Sequence, residues 1–300
     1  MPPAKRPPKH RQCGVQAATE RLYEQDPALR GRHRRIEDEC QNLIAKGYAQ
    51  RVWRKLSTIP VIVHVVSKTD EEDISDEQVE SQIEVLNQDY RKTNADADKV
   101  PDPWKSLAAD PNITFDLTEI TRTTTTVDEF GTDDEVKAKA TGGVPPKTPD
   151  KLLNIWVCNL GGGLLGYAQF PGGPAKTDGV VILYTAFGTK GVAADPFNLG
   201  RTATHEVGHY LNLRHIWGDT NDCSGSDQVS DTPRAMAPNY GKPDWPHISC
   251  NNGPNGDMFM DYMDYVDDAA MFMFSAGQVT RMQATLDAAR SSIGKPVACE

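Results

Sequence analysis

The feature that most restricts this 300-residue chain is His205-Glu206-Val207-Gly208-His209, followed six residues later by His215. The segment 198–213, NLGRTATHEVGHYLNL, reads as a helix, so His205 and His209 lie one turn apart on one face. Two imidazoles so placed converge on a tetrahedral Zn²⁺, and a third can come from His215. Three histidines leave one coordination position open, which is the catalytic arrangement rather than the structural one. Glu206 stands beside them, where it can act as general base on a water polarised by the metal. The plain alternative is a helix carrying ordinary surface or core histidines.

Around this helix the pattern is α+β. IPVIVHVVS (59–67) and ITFDLTEITRTTTT (113–126) read as strands, as do LLNIWVCNL (152–160), LLGYAQF (164–170) and GVVILYTAF (179–187). Residues 75–92 carry Val79, Ile83, Leu86 and Tyr90 at helical spacing behind Ser75 and Asp76 as candidate N-caps. Residues 275–293 form a closing helix with Ser275 as N-cap, and 214–274 are irregular. Residues 15–50 read as helical, broken near Pro27 and Gly31, and 51–57 as a basic linker. The expectation is a twisted sheet covered by two helices, with an irregular lower half packed around the end of the zinc helix.

Charge divides the chain in two. Residues 1–56 hold 13 Lys/Arg against 6 Asp/Glu, while residues 57–300 hold 19 against 36. A basic segment on an acidic body suggests two units that attract each other; a basic tail without a partner is the alternative. A net charge of −10 argues against nucleic acid as the main partner, and no run of 18 apolar residues is available to span a membrane. MPPAKRPPKHRQ at the N-terminus lacks the apolar stretch of a signal peptide. The chain is therefore either not exported, or its signal is missing from this sequence. Six cysteines, with no C-x-x-C pair, do not make a disulfide-dense scaffold.

The spacing H-E-x-x-H-x-x-N-x-x-H resembles the metzincin metallopeptidases, with Asn212 where that pattern has Gly. The chain must turn sharply there at positive φ, which Gly allows best and Asn next. Met263, in Asp261-Tyr262-Met263-Asp264-Tyr265, falls at the position of the metzincin Met-turn, with Met260 as its rival. Tyr265 matches a tyrosine that in several metzincins approaches the metal and the oxyanion. LGYAQFPGGPAKTDGVVI, the zinc helix, SDTP at 230–233 and DYMDYVDDAAMFMFSAGQVTRM together resemble the pappalysin family over roughly residues 58–290.

That resemblance implies a secreted zinc endopeptidase with bound calcium, acting on proteins or peptides. Its sheet is mainly parallel with an antiparallel edge strand. His205, His209 and His215 hold zinc, Glu206 is the base, and Tyr265 helps to stabilise the oxyanion. Near Leu164, Gly166, Tyr167 and Ala168 the edge strand would take substrate as an added antiparallel strand; a buried strand without ligand contact is the alternative. It favours a Cys223–Cys250 disulfide, the alternative being two free thiols; Cys40, Cys158 and Cys299 have no arguable partner. The loop 218–232 carries Asp219, Asp222, Asp227, Asp231 and Thr232, oxygen donors suited to calcium, though a solvated acidic loop fits as well.

Arg11-Gln12-Cys13-Gly14-Val15 resembles the cysteine switch of metzincin pro-enzymes, with the Cys13 thiolate on zinc in a latent form. Pairing with Cys40, or no role, is the other reading. Asp267 and Asp268 follow the Met-turn, where metzincins build a wall of the pocket for the residue after the scissile bond. Buried there, they would select Arg or Lys; as turn residues, they would be solvated. Arg51, Arg54 and Lys55 then become self-cleavage sites.

The expected division is a pro-segment with linker at 1–57, an N-terminal catalytic subdomain at 58–212 and a C-terminal one at 213–300, in a monomer. Two other classes remain open: a non-catalytic zinc- and calcium-bearing binding or adhesion module, which an intact Glu206 argues against, and a zinc hydrolase of a non-peptide substrate, which the order of strands and Met-turn argues against.

Overall fold

The structure is a computed structural model, described over residues 8–47 and 56–294. Two helices open it, α1 (Val15–Gln25) and α2 (Ala28–Ala45). The break falls at Asp26-Pro27 alone, and Gly31 lies inside α2, contrary to the expected break there. Arg51, Arg54, Lys55 and Cys299 lie outside the described residues.

Strand β1 (Ser57–Ser67) begins two residues before the expected start at Ile59, because Ser57 N–H already donates to Asn112 C=O at 3.0 Å. Then follow α3 (Asp76–Asp89), a one-turn α4 (Asp102–Lys105), β2 (Ile113–Thr124), β3 (Leu153–Cys158), β4 (Gly166–Ala168) and β5 (Val180–Leu183). The sheet order is β2-β1-β3-β5-β4, parallel throughout except for β4, which pairs antiparallel with β5 at one edge. The β-branched runs fit this placement: every residue of β3 and β5 is buried, as in a sheet covered on its faces.

The zinc helix α5 (Arg201–Tyr210) packs on β4 and β5 and against α3. Val79, Ile83, Leu86 and Tyr90 are the buried face of α3, as their spacing predicts. A buried polar clamp adds to this packing. Arg201, at the start of α5, reaches Asp89 at 3.2 Å and Asp96 at 3.0 Å, and Thr204 Oγ1 donates to Asp89 at 2.7 Å. This ties α5 to α3 and fixes where the histidines point.

Below α5 the chain is mostly irregular, with two short strands, β6 (Tyr240–Gly241) and β7 (Tyr265–Val266), and a closing helix α6 (Ala276–Asp287). Ser275 caps α6 in a reciprocal box with Gln278. The lower half is held by a methionine- and phenylalanine-rich core that includes Met258, Met260, Met263, Met271, Phe272 and Phe274, and by the Cys223–Cys250 disulfide. Cys13 and Cys40 are free thiols, so Cys13 does not pair with Cys40.

Candidate active site

α5 ends at Tyr210, and Asn212 adopts φ 71°, the left-handed turn expected of it. That turn brings His215 back to the helix. The Nε2 atoms of His205 and His215 each lie 3.1 Å from His209 Nε2. Each Nδ1 faces an oxygen: His205 the Tyr262 carbonyl at 2.7 Å, His209 the Leu213 carbonyl at 2.8 Å, and His215 the Asp219 carboxylate. With the Nδ1 protons committed there, three Nε2 lone pairs point at one another. That arrangement repels itself unless a cation sits among them, so the donor set fits a zinc ion. Burial, reinforced by the neighbouring rings, lowers His205 well below the usual imidazole range and His209 to about 3, which keeps both neutral and able to ligate.

Cys13 completes the group. Its Sγ and the three imidazoles offer ligand atoms all within 4.8 Å of one another. Cys13 Sγ also lies 3.4 Å from Glu206 Oε2. Burial first, and Glu206 second, raise the Cys13 thiol; burial raises Glu206 to about 8. A dication at this point reverses the preference of the thiol, because a coordinated thiol loses its proton.

The segment is seated by its backbone as well. Leu165 N–H donates to Gln12 C=O at 3.0 Å, and Gly14 N–H to Gly166 C=O at 2.8 Å. Cys13 pairs with Gly166 in parallel. The edge expected to take substrate is thus occupied by the chain's own N-terminal segment, running parallel to β4. Both glycines are also confined by other neighbours: a Cβ on Gly14 would lie 2.5 Å from Thr132, and one on Gly166 would lie 2.9 Å from Glu206 Cγ and from the Val181 carbonyl. Of the other expected substrate residues, Leu164 is half-buried and Ala168 lies in the ladder with β5. Tyr167 is a correction: its ring is fully buried beside Lys137, so it serves the core and not the cleft.

Two residues before Cys13, Arg11 is almost wholly buried. Its Nη2 meets Asp268 Oδ1 at 2.5 Å, Nε donates to Val266 C=O at 3.1 Å, Nη1 to Thr202 Oγ1 at 3.1 Å, and the guanidinium faces the Phe197 ring. The second Asp268 oxygen accepts from Leu199 and Arg201 N–H at the start of α5. Asp268 therefore lines a closed cationic-side-chain pocket beside the zinc ligands. Asp267 is half-buried, and its N–H donates to Gly241 C=O. Phe197 and Thr202 were not legible as pocket residues. Arg11 could have been, as the one cation within two residues of Cys13.

Met263 lies directly under the zinc helix, its sulfur 2.4 Å from where a Gly208 Cβ would stand. Met260 is buried too, but its carbonyl accepts from Phe272 N–H in the lower core. The Tyr265 ring sits 4.9 Å from that of His215 and 5.7 Å from that of His205.

The oxygens of the 218–232 loop go to separate partners. Asp219 orients His215, a role the sequence did not reveal. Asp222 accepts from Ser224, Asp227 from Thr232, and Asp231 from Ser275 and Gly277. Among the described residues, the single group of side chains able to hold a metal is Cys13 with the three histidines.

Residues 147–287 match the peptidase family M43 model, described as pregnancy-associated plasma protein-A. An extracellular metalloprotease of Arthroderma benhamiae is 32% identical over 75% of this chain and 76% of its own length. Extracellular metalloprotease 1 of Coccidioides posadasii is 35% identical, covering 73% of each. The chain belongs to the pappalysin (M43) family. Two Tannerella forsythia structures extend the likeness. Mature mirolysin in complex with a cleaved peptide is 46% identical with a TM-score of 0.78, covering 79% of this chain and 95% of that one. Promirolysin, as a mutant, is 43% identical with a TM-score of 0.85, covering 94% and 96%. As a pappalysin, the chain is a metallopeptidase of metzincin fold. The share of it covered rises by 15 points when the neighbour is the pro-form.

Proposed function

We propose that this chain is the latent form of a secreted zinc endopeptidase, with residues 1–57 as pro-segment and 58–212 and 213–300 as the halves of the catalytic unit. The observation that carries this is Cys13, which stands with His205, His209 and His215 in one tetrad while its neighbours occupy the substrate edge. Relatives named extracellular metalloproteases support secretion, and no helix among the described residues is long and apolar enough to cross a membrane.

Zinc, when bound by the three histidines, supplies Lewis acidity toward a water and a peptide carbonyl. Glu206, next to that position, takes the water's proton and delivers it to the leaving amine. Tyr265, tilted against the His205 ring and edge-on to that of His215, donates to the developing oxyanion once Cys13 has left. Gly166 and its neighbours offer backbone groups to the substrate, which enters antiparallel to β4 as the reverse of the pro-segment. Arg11 on Asp268 supports a preference for Arg or Lys after the scissile bond, because a different side chain would leave that buried carboxylate unpaired. Met263 is the methionine of the turn beneath the metal. The 218–232 loop remains the proposed calcium site, where carboxylates among Asp219, Asp222, Asp227 and Asp231, with Thr232 and loop carbonyls, would supply the oxygen ligands.

The test is digestion of casein and of a proteome-derived peptide mixture by the full chain and by chain cut in the linker before Ser57, with and without chelator. The expected result is chelator-sensitive cleavage after cutting, with basic residues enriched on the C-terminal side of the cuts. No hydrolysis by the cut chain would leave the binding-module reading standing.

A further inference from the structure

A second contact between the N-terminal segment and the body lies away from the zinc ligands. Glu37, on α2, inserts its carboxylate between two guanidiniums. Arg281 of α6 donates from Nη1 to Glu37 Oε1 at 2.7 Å and from Nη2 to Oε2. Arg214 donates from Nη2 to Oε2 at 3.3 Å. The Arg281 side chain is fully buried, and its Nε is fixed on the Asn212 carbonyl at 2.6 Å. Arg214 immediately precedes His215, and Asn212 is the turn that brings His215 to the metal. Burial alone would raise the Glu37 carboxyl; the Arg281 bonds and charge outweigh it and hold the group at about 2.

The place of this fork in the cleft is set by the path of the segment. The chain passes Asp268 at Arg11 and the histidines at Cys13, then turns into α1 and α2 beside Phe170 and Arg214. A cavity of about 460 Å³ lies between these helices and the body, with Phe170, Pro171, Asn212, Arg214 and Asp219 on the body side. Phe170 follows β4, and its ring is 5.5 Å from that of His209. The floor thus runs from Phe170, beside His209, to Arg214 and the Glu37 that Arg281 holds, on the α1–α2 side of Cys13, whereas Asp268 lies on its Arg11 side. If Asp268 takes the residue after the scissile bond, the guanidiniums face the residues before it.

When the segment leaves, the Arg281 Nη donors lose their partner while Nε keeps its own. Asp227, a body carboxylate whose charge acts on Arg281, is engaged by Thr232 and the Val229 N–H. The result is a fork oriented by the Asn212 carbonyl, with a second guanidinium beside it, the geometry that favours a carboxylate. We propose that Arg281 and Arg214 form a subsite of the activated enzyme that selects an acidic side chain N-terminal to the scissile bond, and that Glu37 fills it in the latent chain. This rests on the reading of residues 1–57 as a removable pro-segment.

The test starts from a peptide that the full chain, activated by cleavage before Ser57, is found to cut. Paired versions carry Glu or Gln at each position upstream of the cut. The expected result is a kcat/KM ratio of about tenfold in favour of Glu at one position, shrinking as NaCl is raised. In Arg214→Ala the ratio falls, because one of the two guanidiniums is gone, and in Arg214→Glu it falls further, toward one, because the new carboxylate competes for Arg281. A Glu/Gln ratio near one at every position, with both peptides cleaved, overturns the subsite and leaves the protease reading intact. A ratio unchanged in both Arg214 variants overturns it as well. Failure of the activated chain to cut any peptide overturns the protease reading, and the subsite with it.

Discussion

The two parts of the N-terminal segment hold the body in different ways. From Arg11 to Gly14 it is an extended strap, paired to β4, with Arg11 in a closed pocket and Cys13 among the zinc ligands. From Val15 to Ala45 it is a helical pair with mostly exposed faces. Its buried apolar residues are few, and its most deeply placed polar contact is Glu37 on Arg281. In the proposed latent form the strap blocks the chemistry, and the helices add area and direction. Net charge attracts a +7 segment to a −17 body, but the contacts that seat it are individual pairs whose geometry no net charge specifies.

The largest expected effect tests whether blocking and chemistry share one group. In the activated enzyme, Glu206→Ala lowers kcat by roughly 10²–10⁴-fold. Zinc content, measured by metal analysis, stays at one per chain because the three histidines remain. Near-normal turnover would remove Glu206 from the mechanism.

The second effect separates strap from helices. In the uncut chain, Cys13→Ala frees the fourth zinc position and raises peptide hydrolysis by about 100-fold, while Glu37→Gln raises it far less. The opposite ranking, in the same fluorogenic assay, would make the helical pair the lock. Arg11→Ala comes next. It leaves Asp268 with its backbone donors but without its cation, at a cost of about 2 kcal/mol, or roughly a 30-fold larger active fraction of uncut chain. An effect equal to that of a surface arginine such as Arg30 would refute the pocket.

The smallest effect depends on pH. The Glu37 carboxyl is held at about 2 against an ordinary 4.5. A depressed carboxyl stabilises docking fully above pH 4.5 and loses that contribution as pH falls toward 2. Amide-exchange protection of α2 in the latent chain should therefore drop about tenfold between pH 5 and pH 2.5, after allowance for partial exposure. Glu37→Gln should flatten that dependence, and an equal drop in the variant would assign it to other carboxylates.

Much of this was legible in the order of residues. The i, i+4 histidines need only helical geometry to share a face. Asn212 reports a positive φ because few other residues tolerate one, and the β-branched runs report buried strands, while their parallel order was implied by the family resemblance. Less was legible where a side chain had a choice of partners. Asp219 reads as one more acidic residue in an oxygen-rich loop, yet it orients His215. Tyr167 stands in the strand the resemblance assigns to substrate, yet its ring is buried in the core.

The sequence by itself determined the zinc helix, its turn and the cover of the sheet, because each follows from local periodicity and from backbone conformations that few residues allow. Only the tertiary structure decided that Arg11 meets Asp268, 257 positions away, and Glu37 meets Arg281, 244 away. An acidic body offers many carboxylates to each cation, and a basic segment many cations to each carboxylate. Which pair forms depends on which two side chains the packing brings together away from water, and that is a property of the packed molecule.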